Sequence, residues 1–262
     1  MIKFENLSNF SLKDTFECGQ CFRFNEQPDG SFAGIAFGKF LRLEMTGKTL
    51  IIHGTNDREF CEKYLDLKRD YGAIIREISA DETLKKAAEF GSGIRILRQE
   101  FWETLCSFII SQNNHIPRIK GIVERFCENF GDKIEGGFTF PTAPKIASLT
   151  PEDLAPIRAG FRAKYIIDAA RKVAGGEVDI KPLENLPLDE AREHLKIIKG
   201  VGDKVADCTL LFGAGRIDAF PKDVWIKRAM SELFDGVLPA VAEPYAGIAQ
   251  QYIFHYRRKR DV

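Results

Sequence analysis

Two glycines separated by one apolar residue, Gly200-Val201-Gly202, interrupt a helical pattern that resumes immediately after them. Glycine adopts positive φ and allows another backbone to approach closely, so this spacing predicts a tight helical hairpin at about residues 189–212. The second helix then begins with unpaired backbone N–H groups, which together with the helix dipole suit a phosphate oxygen. A plain turn between two helices is an equally good interpretation of these three residues taken alone.

The rest of the chain divides by the period of its apolar residues. Residues 21–53 form short runs rich in aromatic and branched side chains, separated by Gly, Pro and Asp, which predicts an antiparallel β-meander. After about Asn56 the apolar residues recur at helical spacing. Thr150 followed by Pro151 predicts the start of one of the later helices.

These patterns predict an α+β fold class. A small N-terminal antiparallel β-sheet domain with flanking helices is expected in residues 1–95. A mostly helical body that contains the hairpin is expected in residues 96–262.

Bulk composition gives little information about partners. Lys plus Arg and Asp plus Glu both number 38, so the formal net charge is zero and does not indicate nucleic acid. The longest apolar runs are too short to span a bilayer, and the first ten residues lack the apolar core of a signal peptide. We therefore expect no membrane partner and a cytoplasmic protein with reduced thiols.

Lys204 and Asp223 are the candidate catalytic residues. Lys204 lies in the first turn of the second hairpin helix, where the positive end of the dipole disfavours an ammonium and favours the nucleophilic neutral amine. A solvated surface lysine is the alternative. Asp223 precedes another helical segment, where it can cap the helix and also stabilise a developing positive charge. Cys208 lies four residues beyond Lys204 on the same helix face, as a packing residue or a contact of the amine.

These residues resemble the helix-hairpin-helix superfamily of DNA glycosylases and, more narrowly, the 8-oxoguanine DNA glycosylase/lyase family. The resemblance covers nearly the whole chain. It rests on the hairpin with its lysine and aspartate and on five motifs in the order of the family, at residues 18–23, 111–118, 160–165, 204–208 and 244–250.

The resemblance implies a bifunctional DNA glycosylase and AP lyase that acts on double-stranded DNA containing oxidised guanine. Lys204 would displace the base and form a Schiff base, Asp223 would stabilise the sugar cation, and β-elimination would cut the strand. No cofactor and no metal site are expected, because Cys18 and Cys21 have no second cysteine pair spaced to join them. No cysteine follows Cys208, so no iron–sulfur cluster is expected either. The resemblance also implies a monomer, nucleoid-associated if the source is bacterial.

The resemblance assigns four residues to the pocket for the flipped base. Gly19 would offer its carbonyl to the N7 hydrogen that guanine lacks, and Gln250 would bind the Watson–Crick edge. Phe254 and Cys208 would hold the ring between them. Each also has an ordinary structural alternative, as a turn glycine, a helix surface residue or a core side chain.

Further residues are assigned to the DNA duplex. Asn113 would fill the space that the extruded nucleotide leaves, Arg118 and Arg162 would contact the opposite cytosine, and Phe161 would wedge into the stack. Gly200, Val201 and Gly202 would bind the phosphate backbone. A helix stop at Asn113 and plain surface charges at the two arginines are the alternatives.

The chain departs from the pattern of the family at several positions. Trp225 replaces the usual His, Phe161 replaces the usual Tyr, and Gln112 and His115 alter the usual asparagine-rich turn. Two other functions remain open: a glycosylase of the same scaffold for a different damaged base, and a non-catalytic DNA-binding module.

Overall fold

The structure is a computed structural model that describes residues 1–260. Within these residues, an N-terminal five-stranded antiparallel sheet has the strand order β1-β5-β4-β3-β2. Its strands are β1 Ile2–Phe4, β2 Phe24–Glu26, β3 Phe32–Ala36, β4 Lys39–Thr46 and β5 Thr49–His53. A small hairpin later in the chain pairs β6 Lys133–Ile134 with β7 Gly137–Phe138. The mostly helical remainder confirms the predicted α+β class.

The helices occur in two groups. Those that accompany the sheet are α1 Leu12–Glu17, α2 Arg58–Tyr64, α3 Tyr71–Ile78 and α4 Glu82–Phe90. Those of the body are α5 Phe101–Ser111, α6 Ile116–Phe130, α7 Ala143–Ala147, α8 Ala163–Ala174, α9 Ile180–Leu183, α10 Leu188–Lys196, α11 Asp203–Gly213, α12 Val224–Leu233 and α13 Ala246–Arg260. Short 3-10 segments lie at Ala155–Ile157, Gly160–Arg162 and Ala240–Tyr245.

The predicted meander is confirmed in β2 to β5, but the sequence did not reveal the strand at the edge of the sheet. β1 pairs antiparallel with β5, with Ile2 opposite Ile52 and Phe4 opposite Leu50. Three residues are too few for alternation to distinguish a strand from a loop, and pairing with a segment about fifty residues away is not visible in a local pattern.

The cap predicted at Thr150 forms, but the α-helix predicted to follow it does not. The Asp153 N–H donates to the Thr150 hydroxyl oxygen, the Asp153 carboxylate accepts from the N–H and hydroxyl of Thr150, and turns then lead into the 3-10 segment that begins at Ala155. Pro156 lacks the N–H that an α-helix starting at Pro151 needs to continue.

Two hydrophobic cores hold the described residues, 1–260, together. The smaller core lies against the sheet, where the Phe16 ring stacks on Phe24 and Phe32 at centroid distances of 4.5 and 5.6 Å. The larger core lies in the helical body, and α3 and α4 also contribute to it. Because both cores extend across the segment near residues 94–97, the sheet is fixed relative to the helices.

The centre of the larger core is the antiparallel packing of α5 on α11. Gly213 lets the end of α11 approach the start of α5 closely, since a Cβ there would lie 3.3 Å from the Phe101 Cα. Further along, the Phe108 and Phe212 rings stack with centroids 5.4 Å apart. This packing brings the last residue of α5, Ser111, beside the first turn of α11.

An ion pair is buried between the sheet-bearing part and α5. Arg23 lies 3.1 Å from the carboxylate of Glu103, and the two side chains are 9% and 12% exposed. Arg23 also donates to the carbonyl of Phe138. Burial raises the pKa of Glu103 to about 7, and the positive charge of Arg23 only partly opposes this shift.

This raised pKa predicts that the fold loses stability as the pH rises. The folded pKa of Glu103, about 7, lies above the ordinary value of 4.5, so the folded state binds the proton more tightly than the unfolded chain. The resulting stabilisation is complete below pH 4.5 and is lost as the pH rises through 7. From pH 5 to pH 8, the free energy of unfolding in urea should fall more in the wild type than in Glu103→Gln, by on the order of 2 kcal/mol. Equal decreases of the free energy of unfolding in the two proteins would contradict the raised pKa of Glu103.

Candidate active site and DNA-binding surface

A cleft of about 1350 Å³ opens between the hairpin, the end of α5 and the start of α12. It brings together residues that are far apart in the sequence and that were singled out separately as candidates. The predicted site residues that line the cleft are Gly19, Asn113, Gly202, Lys204, Asp223 and Phe254.

Lys204 lies half-buried in the cleft wall, in the first turn of α11 as predicted. Its ammonium donates to Ser111 Oγ over 2.9 Å and lies 5.1 Å from the centroid of the Phe108 ring. Lys204 and Asp223, both described by the structure, do not form an ion pair. The lysine nitrogen is therefore held between a neutral hydroxyl and an aromatic face.

Asp223 caps α12, which confirms one of its two predicted roles. Its Oδ1 accepts a hydrogen bond of 2.8 Å from the backbone N–H of Ile226. The carboxylate lines the same cleft as Lys204 and is only partly buried. The cap therefore holds the carboxyl group of Asp223 in place at the wall of the cleft.

Gly19 and Phe254 face each other at another part of the cleft. Gly19 has a φ of +83°, and a Cβ there would lie 3.2 Å from Ile116 Cδ1 and 3.6 Å from Phe254 Cε1. The absence of a side chain therefore leaves the backbone of residue 19 open to a molecule that lies over the Phe254 ring.

The other two predicted pocket residues, Cys208 and Gln250, are buried and do not line the cleft in this structure. Burial raises the pKa of the Cys208 thiol to about 12, so the thiol is neutral. The Gln250 Oε1 accepts a hydrogen bond of 2.8 Å from Gln251 Nε2. Gln250 lies one turn before Phe254 on α13, so the two residues share a helix face.

The turn after α5 presents Asn113. Asn113 has a positive φ of +48°, and its backbone carbonyl accepts from the Arg162 guanidinium over 3.1 Å. Arg162 also donates to the carbonyls of Gln112 and Ala159 and is only 3% exposed. In this structure Arg162 therefore braces the turn, and its contact with an opposite base remains a prediction.

Phe161 and Arg118 lie near this turn and are open to solvent. Phe161 is 49% exposed, and its ring lies 4.4 Å from the Arg162 guanidinium. Burial, followed by the nearby positive charge of Arg118, lowers the pKa of Arg162. The structure thus groups an exposed ring and a second cation around Asn113.

The predicted helical hairpin is confirmed, with α10 and α11 as its helices. Gly200 has a φ of +80°, and a Cβ there would lie 2.5 Å from the Tyr165 ring. Gly202 has an extended φ of −108°, and a Cβ there would meet nothing within 4 Å. The protein itself therefore requires glycine at position 200 and accepts a side chain at position 202.

Buried or partly buried charges hold the hairpin in place. The Arg192 guanidinium pairs with Asp207 over 2.6 Å and joins the two helices. The Asp168 carboxylate accepts from the backbone N–H of Lys199 over 2.7 Å and anchors the loop to α8. Sequence reasoning did not single out these residues, because the pairs join segments 15 and 31 residues apart.

The sequence did not indicate a role for Ser111, although this residue begins the motif at residues 111–118. Nothing in the local pattern distinguishes it from an ordinary helix-terminal serine. Its proximity to Lys204 arises only from the packing of α5 on α11.

Two further properties concern residues 1–260 alone. In that part of the chain, no three or more His, Cys, Asp and Glu side chains are grouped so that they could hold a metal ion. Over the same residues, the helices are too short or too polar to cross a membrane.

Two family models cover most of the chain. Residues 3–105 match the 8-oxoguanine DNA glycosylase N-terminal domain, and residues 106–236 match the HhH-GPD superfamily base excision DNA repair protein.

Curated relatives show the same likeness. An N-glycosylase/DNA lyase of Saccharomyces cerevisiae is 39% identical over 58% of this chain, and the match spans 44% of the yeast protein. A probable N-glycosylase/DNA lyase of Methanothermobacter thermautotrophicus is 30% identical over 78% of this chain and 76% of the archaeal protein.

Solved structures resemble the whole chain. The 8-oxoguanine glycosylase/lyase of Clostridium acetobutylicum, in complex with double-stranded DNA containing cytosine opposite 8-oxoguanine, has 41% identity and a TM-score of 0.92. That match covers 99% of this chain and 96% of the other. A 3-methyladenine DNA glycosylase from Archaeoglobus fulgidus, at 20% identity, has a similar fold.

The two hairpin glycines should respond differently to alanine. Gly200→Ala should lower the free energy of unfolding by about 2 kcal/mol or more, because of its positive φ and the Tyr165 ring. Gly202→Ala should change stability by less than about 0.5 kcal/mol but weaken duplex binding, because the methyl group would stand where a phosphate approaches. Urea denaturation and fluorescence anisotropy measure the two effects. Unchanged DNA affinity in a folded Gly202→Ala protein would argue against phosphate binding at the hairpin.

Proposed function

The chain belongs to the 8-oxoguanine DNA glycosylase family of the HhH-GPD superfamily, and on this premise we propose that it excises 8-oxoguanine from double-stranded DNA and then cuts the strand. The observation that carries the proposal is the position of Lys204, half-buried in a large cleft that also contains Asp223 and Gly19. Such a cleft can hold an extruded nucleotide while an amine and a carboxylate face its sugar.

The proposed chemistry begins with the neutral Lys204 amine. It attacks C1′ of the flipped nucleotide, the C1′–N9 bond breaks, and the base leaves with the bonding electrons. The alkylated Lys204 nitrogen then gives up one of its two protons, which neutralises the departing base. The Asp223 carboxylate stabilises the positive charge that develops on the sugar. The sugar ring then opens to a Schiff base on Lys204, C2′ loses a proton, and the 3′ phosphate departs.

The geometry of the pocket supports oxidised guanine as the substrate. The carbonyl of Gly19 would accept the N7 hydrogen of 8-oxoguanine, and ordinary guanine would leave that buried acceptor unpaired. Phe254, opposite Gly19, would stack on the base. Gln250 would bind the Watson–Crick edge and Cys208 would contact the other face once the base enters, after local rearrangement of the cleft wall.

The surface around the cleft supports duplex DNA as the partner. Asn113 would fill the vacated stack, Phe161 would wedge beside it, and Arg118 and Arg162 would contact the opposite cytosine. The hairpin 200–202 would bind the phosphate backbone, which positions the enzyme without reading sequence.

We also propose that the protein works as a monomer, as the resemblance to the family implies. The proposed enzyme uses no iron–sulfur cluster and acts in the cytoplasm, at the nucleoid if the source is bacterial. The proposed division between residues 1–95 and 96–262 separates the sheet from the helix that carries Ser111.

An end-labelled duplex containing one 8-oxoguanine tests the proposed function directly. The wild type should cut the strand without added base, and borohydride should trap it covalently on the DNA. Lys204→Gln should bind the same duplex but neither cut nor form an adduct. Lys86→Gln, which changes an exposed lysine on α4, is the control and should behave as the wild type. A trapped adduct with Lys204→Gln would overturn the assignment of the nucleophile.

The substitution Asp223→Asn removes the negative charge of the side chain and keeps the helix cap. Asparagine caps helices about as well as aspartate, so the stability should change by less than about 0.5 kcal/mol. The single-turnover excision rate should fall by about 10²-fold, because the developing sugar cation loses its counter-charge. A folded Asp223→Asn protein with the wild-type rate would show that Asp223 acts only as a cap.

A further inference from the structure

Ser111 makes two hydrogen bonds that together fix its hydroxyl group. Its Oγ–H donates to the carbonyl of Phe108 over 2.8 Å, as the last turn of α5 ends. The same oxygen accepts from the Lys204 nitrogen over 2.9 Å. Because the hydroxyl hydrogen is committed to the backbone, the oxygen presents only a lone pair to the lysine.

This arrangement has a consequence for the geometry of the reaction. A neutral amine has two N–H groups and one lone pair, and only the lone pair can attack carbon. When one N–H is held by Ser111, rotation about the terminal bond of Lys204 is restricted and the lone pair cannot point toward the serine. The Phe108 ring, one turn earlier on α5, limits the position of the nitrogen from a second direction.

We propose that Ser111 is the positioning residue for the Lys204 amine, which it holds so that the lone pair faces the cleft. This inference rests on the proposed function, since it concerns the nucleophile of that reaction. In this role Ser111 acts on the reaction through Lys204, and the hydroxyl group that it presents to the lysine is neutral. It therefore orients the amine without adding a carboxylate that would stabilise the ammonium.

The surroundings of Ser111 are rigid enough for this role. α5 is buried along most of its length and packs on α11, which carries Lys204. Immediately beyond Ser111 the chain turns, and the buried Arg162 guanidinium holds the carbonyls of Gln112 and Asn113. Both ends of the Ser111–Lys204 contact are therefore fixed by packing and hydrogen bonds.

The alternative is that Ser111 only closes the end of α5. Thr104 supplies a matched comparison on the same helix, because its hydroxyl also donates to a backbone carbonyl, that of Glu100, over 2.7 Å. The Lys204 nitrogen bonds to Ser111 and not to Thr104. Thr104→Val removes a hydroxyl of the same structural kind and leaves the lysine contact intact.

The experiment measures single-turnover excision and borohydride trapping with the enzyme in excess over the 8-oxoguanine duplex. Rates are measured over a range of pH, because a misoriented amine lowers the rate at every pH, whereas a change in ionisation shifts the pH profile. Ser111→Ala should lower the rate by about 10- to 100-fold while leaving the Kd for the duplex unchanged. Ser111→Thr, which keeps the hydroxyl, should restore most of the rate, and Thr104→Val should react as the wild type.

Each outcome decides between the explanations. Wild-type rates in a folded Ser111→Ala protein would overturn the role of Ser111 and leave the proposed function standing. Equal losses in Ser111→Ala and Thr104→Val, with lowered melting temperatures in both, would assign Ser111 to helix stability alone. A loss confined to Kd, or no recovery in a folded Ser111→Thr protein, would also overturn the positioning role. If the wild type neither cuts nor traps, the proposed function fails, and this inference fails with it.

Discussion

The antiparallel packing of α5 on α11 is the contact on which the candidate site depends. Gly213 allows the two helices to approach, and the Phe108–Phe212 stack fixes their register. Sliding one helix by a single turn would move the helix ends by about 5.4 Å and separate Ser111 from Lys204. The apolar core and the position of Lys204 in the cleft are thus two consequences of the same helix pair.

The hairpin, which we propose to bind phosphate, is held rigid by contacts on its protein side. Asp168 holds the backbone of Lys199 before the turn, and the Arg192–Asp207 pair joins the helices on either side. Gly200 fits against Tyr165, whereas the space beside Gly202 is empty of protein atoms. Side chains of α8 therefore stabilise the turn on the side that faces the protein, and the start of α11 stays accessible to a ligand on the other side.

Charge in this protein acts through its location. The formal net charge is zero, yet Arg118, Arg162 and the first turn of α11 surround the cleft or the Asn113 turn. The two arginines differ in their surroundings. Arg162 is buried and donates its hydrogen bonds to backbone carbonyls, whereas Arg118 is exposed. Trp225, where the chain departs from the pattern of the family, is exposed and lines the cleft. It lies two residues after Asp223 in the sequence.

The sequence by itself determined the α+β class, the hairpin and the two candidate catalytic residues, because these depend on local periodicity, on glycine and on helix caps. Asp223 indeed caps α12, and Lys204 lies in the first turn of α11. Only the tertiary structure revealed β1, the bracing role of Arg162 and the contact of Ser111 with Lys204. Each of these depends on segments roughly 50 to 90 residues apart. Such contacts are set by how helices and strands pack, and the local sequence pattern does not show which distant residue will lie next to a given residue.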